Sequence, residues 1–140
     1  AESGQLMVRQ PASAGADAYR ALQASLLFGA SGPEHKVILV TSPARGDGRS
    51  TLVSNLAIAL AQAGRHVLVI DADLRRPSQP AIFKLPAERG LSEALAGKDP
   101  LDGVIQHTAV AGLDVIPAGS AVADPYALFA SNREFLASAL

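Results

Sequence analysis

The chain has 140 residues, a nearly balanced charge of −1 (12 Lys and Arg against 13 Asp and Glu) and 49% apolar residues. That balance excludes nucleic-acid binding driven by bulk charge. The absence of cysteine excludes a disulfide framework and a thiolate metal site.

The length predicts one domain that buries about 68–70% of its unfolded surface. No apolar run approaches the ~20 residues that cross a bilayer, and no signal-like segment opens the sequence. The chain therefore reads as a soluble intracellular domain. Residues 1–15, rich in Ser, Gly, Ala and Pro, read as a flexible lead-in. Ala16 to Phe28 has helical spacing, with Tyr19, Leu22 and Leu26 on one stripe and Gly29 as the stop. Lys36–Thr41 and His66–Ile70 are β-branched runs without alternation, which suits strands buried on both faces of a parallel sheet. Leu52 to Ala63 lies between them as a helix closed by Gly64, so the order is β–α–β.

Beyond Asp73 the sequence is punctuated, and Pro77 and Pro80 mark a loop. A short helix is expected from Gly90 to Leu95, and another after Asp99 as its cap. Leu113–Ile116 reads as a third buried strand. Asp124-Pro125 is a helix start, an acidic N-cap followed by proline at the first helical position. That helix is expected to run toward Leu140, with Leu128, Phe129, Phe135 and Leu136 for packing. The three histidines, His35, His66 and His107, show no metal-ligand spacing.

The stretch Ser42-Pro43-Ala44-Arg45-Gly46-Asp47-Gly48-Arg49-Ser50-Thr51 stands between a strand-like run and a helical run. In that setting a glycine-rich loop offers backbone N–H groups and a positive helix end to an anion. Gly46 and Gly48 supply unusual dihedrals and let the backbone approach phosphate. Ser50 is placed for Mg²⁺ and Thr51 for an inner phosphate, whereas Asp47 is expected to face outward, away from the anion. The loop departs from G-x-x-x-x-G-K-[ST] at Pro43 and at Arg49, which stands for lysine. A planar guanidinium does not replace a compact ammonium conservatively. Impaired chemistry with retained nucleotide binding is the expectation. Downstream, Val67 to Pro77 ends a buried run with Asp71 and Asp73, carboxylates suited to holding Mg²⁺ through water or orienting an attacking hydroxyl. Arg75 or Arg76 is placed to offset phosphate charge or to contact a neighbouring subunit.

These motifs together resemble the bacterial tyrosine kinases of capsular and exopolysaccharide synthesis. Those kinases belong to the deviant phosphate-loop group that also holds the septum-site and chromosome-partition ATPases. Asp71-x-Asp73-x-Arg75 is similar to that family's second Walker motif. Ala18 to Leu22, Gly90 to Gly97 and Leu113 to Gly119 with Asp124-Pro125 are similar to its other segments. The resemblance implies an α/β P-loop NTPase three-layer fold with a parallel sheet over 16–140, ending before the Walker B strand. It implies ATP or ADP with Mg²⁺. Gly46, Asp47, Gly48, Arg49, Ser50 and Thr51 would bind the nucleotide, and Ser50, Asp71 and Asp73 the metal. Asp71 and Arg49 would be catalytic.

The resemblance also implies a homo-oligomer, and the balanced charge suggests no nucleic-acid partner. By the resemblance, it would work at the inner face of the membrane through a chain-length (copolymerase) partner or a fused membrane segment. The leading helix carries Asp17, Arg20 and Gln23 where the family has Glu-x-x-Arg-x-x-Arg, so ring formation is weakened. No tyrosine cluster is present, and Tyr19 and Tyr126 read as packing residues. Two further readings are a non-catalytic regulatory nucleotide-binding module and a partition-type positioning ATPase; Pro43-Ala44-Arg45 favours the kinase group. A sheet without its next strand would expose an apolar edge, which predicts edge dimerisation or low stability.

Overall fold

The computed structural model describes residues 3–29, 37–44 and 46–134. They fall into two compact units, Ala1–Val67 with Val110–Leu113, and Leu68–Ala109 with Asp114–Leu140.

In the first unit, a 3₁₀ turn (Ser3–Gln5) leads into α1 (Leu6–Arg9). This segment, read from composition as flexible, is helical and buries Met7. Helix α2 (Ala14–Gly29) starts where the Ser13 hydroxyl accepts the Ala16 N–H at 3.2 Å, an N-cap bond. Its expected stripe is shallow: Ala16 is buried, Tyr19 and Leu26 are half-buried and Leu22 is exposed. Helix α3 (Arg49–Gln62) is the centre of the unit, and the 3₁₀ turn, α1 and α2 all pack on it. It begins three residues before the expected Leu52, because Gly48 takes the cap position. Leu and Ala favour the helix and, with Ile58, fill its buried face from Leu56 to Ala59 and Ala61. Gly64 ends it at φ 81, with the Arg65 N–H reaching back to the Leu60 carbonyl at 3.1 Å in a Schellman motif.

The first expected strand is not formed. Residues 37–41 carry no ladder, and Leu39 is 88% exposed, Val37 57% and Ile38 51%. An apolar run becomes a strand only when a neighbour accepts its backbone bonds. Among the described residues none pairs with it, and the expected β–α–β unit is reduced to its helix and second strand.

The remaining strands form one sheet in the order β1-β3-β2, where β1 is Val67–Ile70, β2 is Gln106–His107 and β3 is Leu113–Ile116. The Val67 N–H bonds the Gly112 carbonyl and the Asp71 N–H bonds the Ile116 carbonyl, each at 2.9 Å. Both partners advance together, the parallel pattern. Strand β2 is antiparallel to β3, with Gln106 opposite Val115 and His107 opposite Asp114.

In the second unit, helix α4 (Gln79–Phe83) occupies the stretch expected to be loop. Pro80 is tolerated there because a first-turn N–H has no partner within the helix. Helix α5 (Leu91–Leu95) follows, and then a 3₁₀ turn at Leu101–Val104. Asp99 does not cap that turn; its carboxylate pairs with Arg89 instead. Helix α6 (Pro125–Ser131) has the expected cap, Asp124 Oδ1 accepting the Ala127 N–H at 3.0 Å. Phe135 and Leu136 lie outside the described residues. The core joins Leu74, Leu91, Leu95, Val104 and Ile116, with Leu128 and Phe129 packed against it.

The start of α5 is set by a close backbone approach. The Leu91 and Ser92 N–H groups bond the Pro117 and Ala118 carbonyls at 2.8 and 2.9 Å. A Cβ on Gly90 would come within 2.1 Å of the Pro117 carbonyl oxygen, so glycine is required sterically there. Glu93 closes the corner, accepting the Gly90 N–H at 2.8 Å and the Ser92 hydroxyl at 3.0 Å. Burial pushes its carboxyl pKa up, but hydrogen bonds from Ser120, Gly90 and Ser92 outweigh burial and leave it below the usual value.

Candidate functional site

The phosphate loop belongs to the first unit. Gly46 and Gly48 adopt φ 84 and 85, the left-handed region that disfavours a side chain. No atom lies within 4 Å of where a Cβ would stand on either, so the dihedral, not crowding, calls for glycine. Gly48 takes the N-cap position of α3 and, being glycine, makes no side-chain cap hydrogen bond. Gly46, Asp47, Gly48, Arg49, Ser50 and Thr51 line a depression of about 260 Å³ together with Ser42 and Ala44. A left-handed glycine loop before the N-terminus of a 14-residue helix fits a phosphate chain.

Two side chains depart from expectation. Asp47 does not simply face outward: its Oδ2 accepts the Ala44 N–H at 3.0 Å and braces the loop. Arg49 turns back across the loop, its Nη1 donating to the Ser42 hydroxyl at 3.4 Å. That hydroxyl in turn donates to the Ala44 carbonyl at 3.0 Å. Ser42 was absent from the expected site, and only its place seven residues before Arg49 could have suggested it. Arg45 lies outside the described residues.

The acidic turn belongs to the second unit. Asp71 is buried, and both of its carboxylate oxygens are engaged. Oδ1 accepts the Asp73 N–H at 3.2 Å, while Oδ2 accepts the Ser78 and Gln79 N–H groups at 2.8 and 2.9 Å. Asp71 therefore caps α4 from a distance, a structural role that the sequence pattern did not reveal. Asp73 is half-buried, and its Oδ1 accepts the Arg75 and Arg76 N–H groups at 3.3 and 3.0 Å. The Arg75 guanidinium stands 5.0 Å from the centroid of the Tyr126 ring. Tyr126 is thus not a packing residue: it is 72% exposed and serves as the platform under Arg75. No group of three or more His, Cys, Asp or Glu gathers among the described residues. Magnesium needs only one or two carboxylates beside substrate phosphates and water, so Asp71 and Asp73 suit it by donor type.

Ser54 and Asn55 are fully buried behind the loop, in a helix whose sequence pattern otherwise reads as apolar packing. Ser54 Oγ donates to the Ser50 carbonyl at 2.9 Å and the Thr51 carbonyl at 3.2 Å. Two adjacent polar residues on a helix's buried face were the available signal.

The loop, its helix and the parallel strand pair define a P-loop NTPase. Residues 34–123 match the ParA family, described as a NUBPL iron-transfer P-loop NTPase, and the chain belongs to that family. Within it, the relatives are bacterial tyrosine-protein kinases. The chain is 41% identical over 128 residues to the tyrosine-protein kinase etk of Escherichia coli K12, covering 91% of this chain and 18% of that protein. It is 36% identical over 124 residues to the putative tyrosine-protein kinase CapB of Staphylococcus aureus, covering 89% of this chain and 54% of CapB. The solved kinase domain of the Escherichia coli tyrosine kinase ETK superposes with a TM-score of 0.88 at 39% identity, over 94% of this chain and 52% of that domain. The chain therefore spans well under two thirds of these relatives' lengths. Among the described residues no helix is long and apolar enough to cross a membrane.

Proposed function

We propose that this chain is the ATP- and Mg²⁺-binding part of a tyrosine autokinase that regulates capsular or exopolysaccharide synthesis. The observation that carries the proposal is the loop itself: left-handed Gly46 and Gly48 form a cradle at the N-terminus of α3. The loop amides and Thr51 hold the phosphates. By the family resemblance, Ser50 of the loop, and Asp71 and Asp73 of the acidic turn, are the residues that would serve Mg²⁺. When bound, Mg²⁺ neutralises phosphate charge. Asp71 accepts the proton of the attacking tyrosine hydroxyl. Its carboxylate already accepts three backbone N–H groups, which fixes its orientation. Phosphoryl transfer of this kind is mostly positioning and charge stabilisation.

Arg49 keeps the positive charge of the usual lysine but commits its guanidinium toward Ser42. The natural protein therefore binds Mg-ADP but turns over slowly. By its resemblance to the exopolysaccharide tyrosine kinases, it acts as a homo-oligomer at the inner membrane face, through a membrane chain-length partner or a fused membrane segment. The test compares ATP turnover and tyrosine phosphorylation in the natural protein and Arg49→Lys. Faster turnover in the lysine variant is expected. Equal rates would overturn the assignment of Arg49 as the limiting residue, and no phosphotyrosine in either would overturn the kinase reading.

A further inference from the structure

One buried side chain behind the phosphate loop touches both the first turn of α3 and a segment 48 residues earlier. Asn55 Oδ1 accepts the Met7 N–H at 3.0 Å, and its Nδ2 donates to the Thr51 carbonyl at 2.9 Å. We propose that Asn55 is a positioning residue for the phosphate site, locking Thr51 and the start of α3 to the docked helix α1, so that docking of α1 and phosphate binding favour each other. This rests on the reading of residues 42–51 as a phosphate loop.

The geometry runs through rigid peptide planes. The Thr51 carbonyl shares its plane with the Leu52 N–H, which bonds the Gly48 carbonyl at 2.8 Å. Gly48 is the left-handed pivot of the loop. The Ser50 carbonyl, held by Ser54, shares its plane with the Thr51 N–H. Asn55 and Ser54 thus set the tilt of the planes that present the first-turn amides. An amide side chain can donate on one side and accept on the other. Leucine does neither, and ionised aspartate cannot donate to Thr51.

Helix α1 is the part of this linkage that can yield. It has four residues and no side-chain cap, so it cannot hold itself without tertiary contacts. Its anchors are the buried Met7 side chain and the Met7 N–H on Asn55. Elements of this kind open first. Linkage then requires reciprocity: whatever α1 docking adds to nucleotide affinity, nucleotide adds to α1 docking.

The test reads hydrogen exchange at the Met7 amide and Mg-ADP affinity in the natural protein and in Asn55→Leu. In the natural protein, Mg-ADP is expected to slow Met7 exchange. In Asn55→Leu, Mg-ADP affinity is expected to fall about tenfold, as for loss of one buried hydrogen-bond linkage, and Met7 exchange no longer responds to nucleotide. A residue that merely stabilises α3 would lower the melting temperature without making Met7 sense nucleotide. Mg-ADP binding by the natural protein with Met7 exchange unchanged would overturn the proposal, and this arm needs no variant to fold. Unchanged affinity in a folded Asn55→Leu would overturn it too. Failure of the folded natural protein to bind Mg-ADP at all would overturn the phosphate reading itself, a distinct outcome that removes this proposal with it.

Discussion

Removing Glu93 tests how the second unit holds its corner. The carboxylate accepts the Gly90 N–H at 2.8 Å, the Ser92 hydroxyl at 3.0 Å and, at longer range, the Ser120 N–H at 3.3 Å. Gly90 is buried and cannot exchange this acceptor for bulk water. Hydrogen bonds to a charged acceptor contribute about 1.5–3 kcal/mol, and a lost helix-start bond costs ~1 kcal/mol. Glu93→Ala should therefore cost about 2–3 kcal/mol. Glu93→Gln keeps an acceptor without the charge and should cost ~1 kcal/mol. The pH dependence follows from the sign of the shift. The folded pKa lies below the unfolded one, so the contribution is complete above the unfolded value of about 4.3 and is lost as pH falls through the folded value. Urea unfolding should show a constant gap between the natural protein and Glu93→Gln from neutral pH down to mildly acidic pH, closing below about pH 4. A gap that is absent at pH 7, or that widens on acidification, would refute the role of the charge.

Three other outcomes follow from the same geometry. Gly90→Ala drives a Cβ against the Pro117 carbonyl oxygen and should cost about 3 kcal/mol or more, read by chemical denaturation; a cost under 1 kcal/mol would mean the approach relaxes freely. Asp71→Ala removes the acceptor of three backbone N–H groups and should destabilise by about 2–4 kcal/mol, whereas Asp71→Asn keeps an acceptor and should lose less stability but just as much phosphoryl transfer. Parallel denaturation and kinase assays separate these two roles of one carboxylate. Tyr126→Leu should cost about 0.5–1 kcal/mol by removing the platform under Arg75, and Tyr126→Phe close to nothing. Equal losses in the two Tyr126 variants would point to the hydroxyl rather than the ring.

Much of the fold was legible because its signals are local. Val67–Ile70 and Leu113–Ile116 announce strands by composition, and Asp124-Pro125 announces a helix by its cap. The phosphate loop was legible because left-handed glycines and a following helix leave a fixed pattern in sequence. What was hidden depends on distant partners. Residues 37–41 have the composition of a strand, but no neighbour among the described residues completes it. Helix α4 was masked by Pro77 and Pro80, and its cap comes from Asp71 across seven residues. Strand β2 has only two residues, and its pairing with β3 is what defines it. The N-terminal segment looked unstructured because its order comes from Asn55 and α3, not from its own residues.

The central claim is that residues 46–51 form a working phosphate cradle. Amide exchange across Gly46 to Thr51, followed while the natural protein is titrated with Mg-ADP, tests it most directly. Saturable binding, with the loop and first-turn α3 amides gaining protection, is the predicted result. Saturating Mg-ADP that leaves every one of those amides unchanged would contradict it.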